Sequence, residues 1–188
     1  PSLFKFSGYR KASFGYFGHM WELYAFWAFV PFAIQTFNGF NNDAISVPLW
    51  AAIIIAIGGV SCILGGLFSL RFGSKKVAVV PLFISGLFCL ISPLLFQLPT
   101  AVFLVAFCLW GMAVTADSPQ FSSLVASSVT PELKGTALTL MNCIGFAISI
   151  VSIELVSYLA TKIDPTYLFL ILAVGPIFGL WQLRNKSH

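Results

Sequence analysis

Six stretches of almost unbroken apolar sequence, separated by short polar turns, account for most of the 188-residue chain. They run at about 12–37, 48–70, 77–96, 101–127, 136–159 and 166–183. A helix needs about 20 mostly apolar residues to cross the hydrocarbon of a bilayer, and each run comes close to or exceeds that length. The runs are continuous rather than alternating, which predicts helices and not the strands of a membrane barrel. The turns are compact: Asn38-Gly-Phe-Asn-Asn-Asp43, Arg71-Phe-Gly-Ser-Lys-Lys76, Gln97-Leu-Pro-Thr100, Thr130-Pro-Glu-Leu-Lys-Gly135 and Lys162-Ile-Asp-Pro165. In the fourth, Pro131 suits the first turn of a helix. None has room for a water-soluble domain. The expected fold is all-α, a polytopic membrane protein of six transmembrane helices spanning 12–188.

Composition supports that class. Hydrophobic residues make up 59% of the chain and charged residues 9%, with a mean hydropathy of +0.94. Soluble domains carry about 25% charged residues, so this chain cannot cover a water-facing surface and takes lipid as its main solvent. The net charge of +4 does not indicate nucleic acid, because the cations sit in loops between spans. Such placement sets membrane orientation. With the N-terminus inside, Lys5, Arg10, Lys11, Arg71, Lys75, Lys76, Lys134, Arg184 and Lys186 share the inner face, and Lys162 alone is outside. Both termini are therefore expected to be cytoplasmic. Residues 1–11 mix Phe4, Phe6 and Tyr9 with cations and read as an amphipathic lead-in at the inner interface, or as a plain topological anchor. The first residue is Pro1, and the expectation is that the chain begins partway through a longer protein. The four cysteines (Cys62, Cys89, Cys108 and Cys143) lie inside apolar runs without metal-ligand spacing. They read as packing residues, and no metal or cofactor is expected.

Chemistry is expected where ionisable groups interrupt the spans. His19 and Glu22 lie one helical turn apart in the first run, just after Gly15 and Gly18. Burying such groups in hydrocarbon is costly, so they usually face a bundle interior or a wet cavity. The glycines would let another helix or a ligand approach. Asp117 sits in the fourth run, followed by Ser118, Pro119 and Gln120. Pro119 removes a backbone hydrogen bond, and Ser118, Gln120, Ser122 and Ser123 can re-satisfy the break. No Lys or Arg lies deep in any span to pair with these acids. An acid buried without a cation favours its neutral form, which suits Glu22 and Asp117 to carrying a proton, with His19 as a relay. Binding a cation or a cationic substrate is equally consistent, and a polar pair that merely joins helices is the plain alternative. Glu154 lies toward the outer end of the fifth run and reads as either site or interfacial group. Trp21, Tyr24 and Trp27 form an aromatic stripe that suits ligand stacking or helix packing. In the fifth run Asn142, Gly145, Ser149 and Ser152 form a small and polar stripe, suited to close packing, with Asn142 also a candidate substrate contact. A central acid opens each set of three runs, while the third and sixth runs contain no central acid. The pattern is three helices followed by three, an inverted repeat of the kind transporters use.

Several of these stretches carry a resemblance. The turn Gly66-Leu-Phe-Ser-Leu70-Arg71-Phe-Gly73-Ser-Lys75-Lys76 resembles the loop motif G-x-x-x-D-R-x-G-R-R/K of the major facilitator superfamily, with Leu70 where the motif has Asp. Residues 15–27, 116–122 and 131–139 are similar to a bacterial branch of that superfamily. The resemblance implies the C-terminal six-helix half of a secondary transporter in a bacterial inner membrane. Its partners would be lipid, a small-molecule substrate, and an N-terminal six-helix half on the same polypeptide or a second copy. In that family the first and fourth helices of each half line the cavity, and here these are the helices with central acids. The resemblance makes Glu22, Asp117 and His19 the proton or substrate groups, and Trp21, Tyr24, Gln120 and Asn142 candidate cavity contacts. Gly66, Arg71, Gly73, Lys75 and Lys76 would form a cytoplasmic gating loop. Two other classes stand beside this reading: a non-transporting assembly subunit, and an intramembrane enzyme using Glu22 and Asp117 as an acid pair. A Gly-x-Gly-Asp element of the intramembrane aspartyl protease type is not present in the sequence.

Overall fold

The computed structural model describes residues 3–184. Lys186, counted above among the inner-face cations, lies outside them. Seven α-helices follow in order: α1 (Ser7–Asn41), α2 (Val47–Phe72), α3 (Ser74–Leu95), α4 (Thr100–Ala116), α5 (Ser118–Ser127), α6 (Lys134–Ala160) and α7 (Val174–Arg184). Short 3-10 turns precede α1 and α6, and a longer 3-10 helix, Pro165–Ala173, leads into α7. Among the described residues five stretches are long and apolar enough to cross a membrane: Val47–Phe72, Ser74–Leu95, Thr100–Ser127, Pro131–Ala160 and Pro165–Arg184. The 35-residue α1 is not among the five. It includes Arg10, Lys11, His19 and Glu22, and nearly half of its residues are buried.

The helices pack around α1, which touches α7, α6, α5 and α2 and the 3-10 helix. An aromatic cluster fills one end of the core, with Phe37 stacked on Phe103 at 4.0 Å between ring centroids and Phe26 tilted against Trp110 at 4.8 Å. The outer surface is apolar: Ile63 is 67% exposed, Leu67 61% and Ile150 63%. In water such a surface would cause aggregation, and in lipid it is the solvated face.

Three expectations are modified. Within the lead-in, the described residues from Ser7 onward already belong to α1. Leu3 and Tyr9 are buried, and the Tyr9 hydroxyl donates to the Ala137 carbonyl of α6 at 3.3 Å. The run at 101–127 is two helices broken at Asp117, whose carbonyl accepts from the Gln120 and Phe121 amides. Pro119 thus stands in the first turn of α5, where its missing N–H costs nothing, instead of kinking a continuous helix. The run at 166–183 is half 3-10 and half α. The α-type partner of the Leu172 carbonyl would be residue 176, a proline without an N–H, and the Val174 amide bonds Ile171 and Leu172 instead.

Asp164 opens the 3-10 helix by accepting from the Thr166 amide at 2.9 Å and its hydroxyl at 2.6 Å. These bonds hold the exposed Asp164 carboxyl below its ordinary range. The capping interaction is therefore complete above the unfolded-state pKa and disappears as pH falls through the depressed folded value. Asp164→Ala is expected to speed hydrogen exchange at the Thr166 amide, with acidification doing the same to the unaltered protein. Equal exchange in both proteins would show that the cap does not order this end.

Candidate functional site

Helix α1 presents His19 and Glu22 to different neighbours. His19 and Glu22 are 1% and 0% exposed. One turn of helix places them on adjoining positions of one face. His19 points at the break between α4 and α5, where its Nδ1 lies 2.9 Å from Oδ1 of Asp117 and its Nε2 lies 2.7 Å from the Ser118 hydroxyl. The ring is flanked by Tyr16 and Phe121, with centroids 5.8 and 5.7 Å away. The helix break makes this meeting possible, because it directs two successive residues, Asp117 and Ser118, toward one imidazole.

Neither Asp117 oxygen receives a well-directed hydrogen bond, although Asp117 is fully buried. The His19 contact is close but out of line, so it acts through charge and proximity and not as an aligned hydrogen bond. A lone carboxylate in this setting would be very costly, whereas a neutral acid beside a neutral imidazole, or a carboxylate beside an imidazolium, is tolerable. The two tolerable forms differ only in where one proton sits, on the Asp117 carboxyl or on the imidazole, and the Ser118 hydroxyl can donate to or accept from Nε2 according to the form of the ring. The sequence contains no deep Lys or Arg for these acids, but the fold supplies an imidazole.

Glu22 is held differently. Its Oε2 accepts from the Ser85 hydroxyl at 2.8 Å, and its Oε1 accepts from the Cys89 thiol at 3.2 Å and the Trp110 indole N–H at 3.0 Å. Both oxygens are satisfied by α3 and α4. The sequence did not single out these partners for chemistry. Cys89 reads there as a packing residue, yet it is a ligand of the buried acid. The available signal was the polar spacing Ser85, Cys89, Ser92 on an otherwise apolar run, and a tryptophan in mid-span instead of at an interface.

The candidate wall contacts disperse. Gln120 is buried with its amide nitrogen unpartnered, and it lies near Gly65 of α2. Asn142 is half-buried and accepts from the Tyr16 hydroxyl at 3.1 Å. Trp21 turns away from the acids and donates to the Ile171 carbonyl at 3.2 Å, while Tyr24 packs on Trp27 and Phe146. Ser149 and Ser152 of α6 donate to the Met20 and Trp21 carbonyls at 2.8 and 2.6 Å, so that stripe packs helices as expected. Glu154 is exposed. In the basic turn Gly73 has φ +84°, a conformation glycine adopts without a side-chain clash, and Arg71, Lys75 and Lys76 are exposed. Space around Gly66 is open. Among the described residues, one apolar groove of about 480 Å³ lies between α1, α6 and α7 and another of about 760 Å³ between α2, α3 and α4. His19, Glu22 and Asp117 line neither.

A helical, lipid-solvated chain with acids and an imidazole sealed in its core belongs to the class of integral membrane proteins with buried polar sites. The chain belongs to the Major Facilitator Superfamily, whose family profile matches residues 12–187. It is also 30% identical over 81 residues to the 3-(3-hydroxy-phenyl)propionate transporter of Escherichia coli strain K12. That match covers 43% of this chain and 20% of the relative's length. Family membership points to transport instead of catalysis.

Proposed function

We propose that this chain is a six-helix half of a secondary carrier that moves a small solute by alternating access, coupled to protons. In this reading α1 is the first of six spans, the two sets of three helices form an inverted repeat, and both termini are cytoplasmic in a bacterial inner membrane. The cavity is completed by an N-terminal half on the same polypeptide or by a second copy. The observation that carries the reading is the buried chain Asp117–His19–Ser118 at a helix break. It joins an acid and an imidazole where two helical segments meet, which suits a group that takes and releases a proton as those segments move. Glu22 is the second proton group. Gln120, Asn142, Trp21 and Tyr24 are candidate contacts for the solute once the halves are joined, and the turn at Gly66, Arg71, Gly73, Lys75 and Lys76 gates the inner face.

Uptake into vesicles reconstituted with the full-length gene product tests this. With the interior alkaline, at least one compound of a panel headed by 3-(3-hydroxyphenyl)propionate is expected to accumulate, and a protonophore should abolish accumulation. Uptake indifferent to the pH gradient would remove proton coupling from the proposal. Two features favour a second reading, a non-transporting assembly subunit: Glu22 is fully satisfied, and neither groove reaches the acids. Folded, reconstituted protein that moves no compound in the panel would select that reading. The acid-pair enzyme gains no support, since Glu22 and Asp117 share no hydrogen bond among the described residues.

A further inference from the structure

The groove of about 760 Å³ between α2, α3 and α4 has almost entirely apolar walls, including Phe68, Phe72, Val80, Phe88 and Met112, and one charged residue, Lys76, at its end. The Ser61 hydroxyl on its floor is already committed to the Gly58 and Met112 carbonyls at 2.7 and 2.8 Å. Lys76 belongs to the basic turn, where Arg71 lies over the Phe72 ring at 5.4 Å and Lys75 is adjacent. All three cations are exposed, and none has a carboxylate partner among the described residues. The turn itself contains no acid, since position 70 is a leucine, 86% exposed. A greasy slot ending in one uncompensated cation, with two more in the same turn, is amphipathic in the same sense as a phospholipid whose headgroup is negative. Basic pockets between membrane helices recognise such headgroups by charge, while the adjoining apolar surface takes the chain.

We propose that this groove is a binding site for one anionic phospholipid, with an acyl chain along α2, α3 and α4 and the phosphate at Lys76, Arg71 and Lys75. Lipid at this turn would tether the α2–α3 connection to the membrane surface. The proposal does not depend on what the protein transports.

Each cation near an anionic headgroup contributes roughly a fivefold gain in binding, so three together give on the order of a hundredfold before losses to mobility and screening. Native mass spectrometry of the detergent-solubilised full-length gene product reads this directly, using phosphatidylglycerol and phosphatidylcholine of identical chains. The expected result is one phosphatidylglycerol retained with an apparent Kd about tenfold or more below that of phosphatidylcholine. The R71Q/K75Q/K76Q variant should bring the two lipids together, and Val80→Trp, which narrows the slot and keeps the charges, should weaken both. Lys76→Gln alone should cost roughly fivefold and replaces the triple variant if that does not fold. Inorganic phosphate should not compete. Equal retention of the two lipids by the unaltered protein would overturn the site, as expected if another protein segment fills the groove. Preference surviving loss of the cations would also overturn it, and displacement by phosphate would make it an anion site without a lipid.

Discussion

Glu22→Gln is expected to leave the protein folded and to stop proton-driven uptake. The reason lies in the Ser85 hydroxyl, which is 2.8 Å from Glu22 and 3.1 Å from the Leu82 carbonyl. When Glu22 is ionised, Ser85 donates to it. When Glu22 is protonated, the acid donates to Ser85, whose hydrogen turns to Leu82. Trp110 and Cys89 donate to the other oxygen throughout. The site therefore accepts or releases a proton by rotating one hydroxyl, with no backbone movement and no orphaned donor. Glutamine reproduces the heavy-atom arrangement of the protonated acid, its oxygen facing Trp110 and Cys89 and its amide nitrogen facing Ser85, with one extra N–H as the difference. It has no proton to release. Glu22→Leu is the opposite case, leaving the buried indole N–H unpaired at about 1–3 kcal/mol. The pair of variants separates chemistry from folding. Glutamine should keep the melting temperature and lose uptake, and leucine should lose both. Normal uptake by Glu22→Gln would remove this residue from the mechanism.

The second large effect concerns two glycines that look alike in sequence. A Cβ on Gly18 would run into the Gly175 carbonyl and lie 2.9 Å from the Gly179 amide nitrogen, backbone atoms of α7 that cannot move aside singly. A Cβ on Gly59 in α2 would meet nothing within 4 Å. Gly18→Ala is therefore expected to force α1 and α7 apart, at about 1–3 kcal/mol or more, because overpacking a tight contact strains both elements. Gly59→Ala should be neutral or stabilising by about 0.5–1 kcal/mol, since alanine loses less conformational freedom in a helix. Thermal unfolding of the detergent-solubilised protein should shift in opposite directions. Matching shifts would mean that α1 and α7 do not meet through glycine.

Much of this architecture can be read from the chain. Apolar runs at 48–70, 77–96 and 136–159 become helices whose ends fall within three residues of those limits, because hydrocarbon thickness dictates their length and lipid offers the backbone no alternative partners. His19, Glu22 and Asp117 stand out because charge inside such a run is costly wherever it points. The glycines at 15 and 18 announce close approach, and the approach proves to be a helix, with Leu183 and Phe121 against Gly15 and the α7 backbone against Gly18. The joining of His19 to Asp117, 98 residues apart, has no counterpart in local spacing.

The sequence alone determines that this is a helical membrane protein, approximately where its helices lie, and which three side chains are too polar for their surroundings. Those follow from transfer energies, which each residue carries with it. Only the tertiary structure decides that the imidazole serves Asp117 while Ser85, Cys89 and Trp110 serve Glu22. It alone also breaks the fourth run at Asp117 and turns Trp21 away from both acids. Pairing depends on which helix faces come together, and in a chain this uniformly apolar the hydrophobic pattern scarcely distinguishes one face from another.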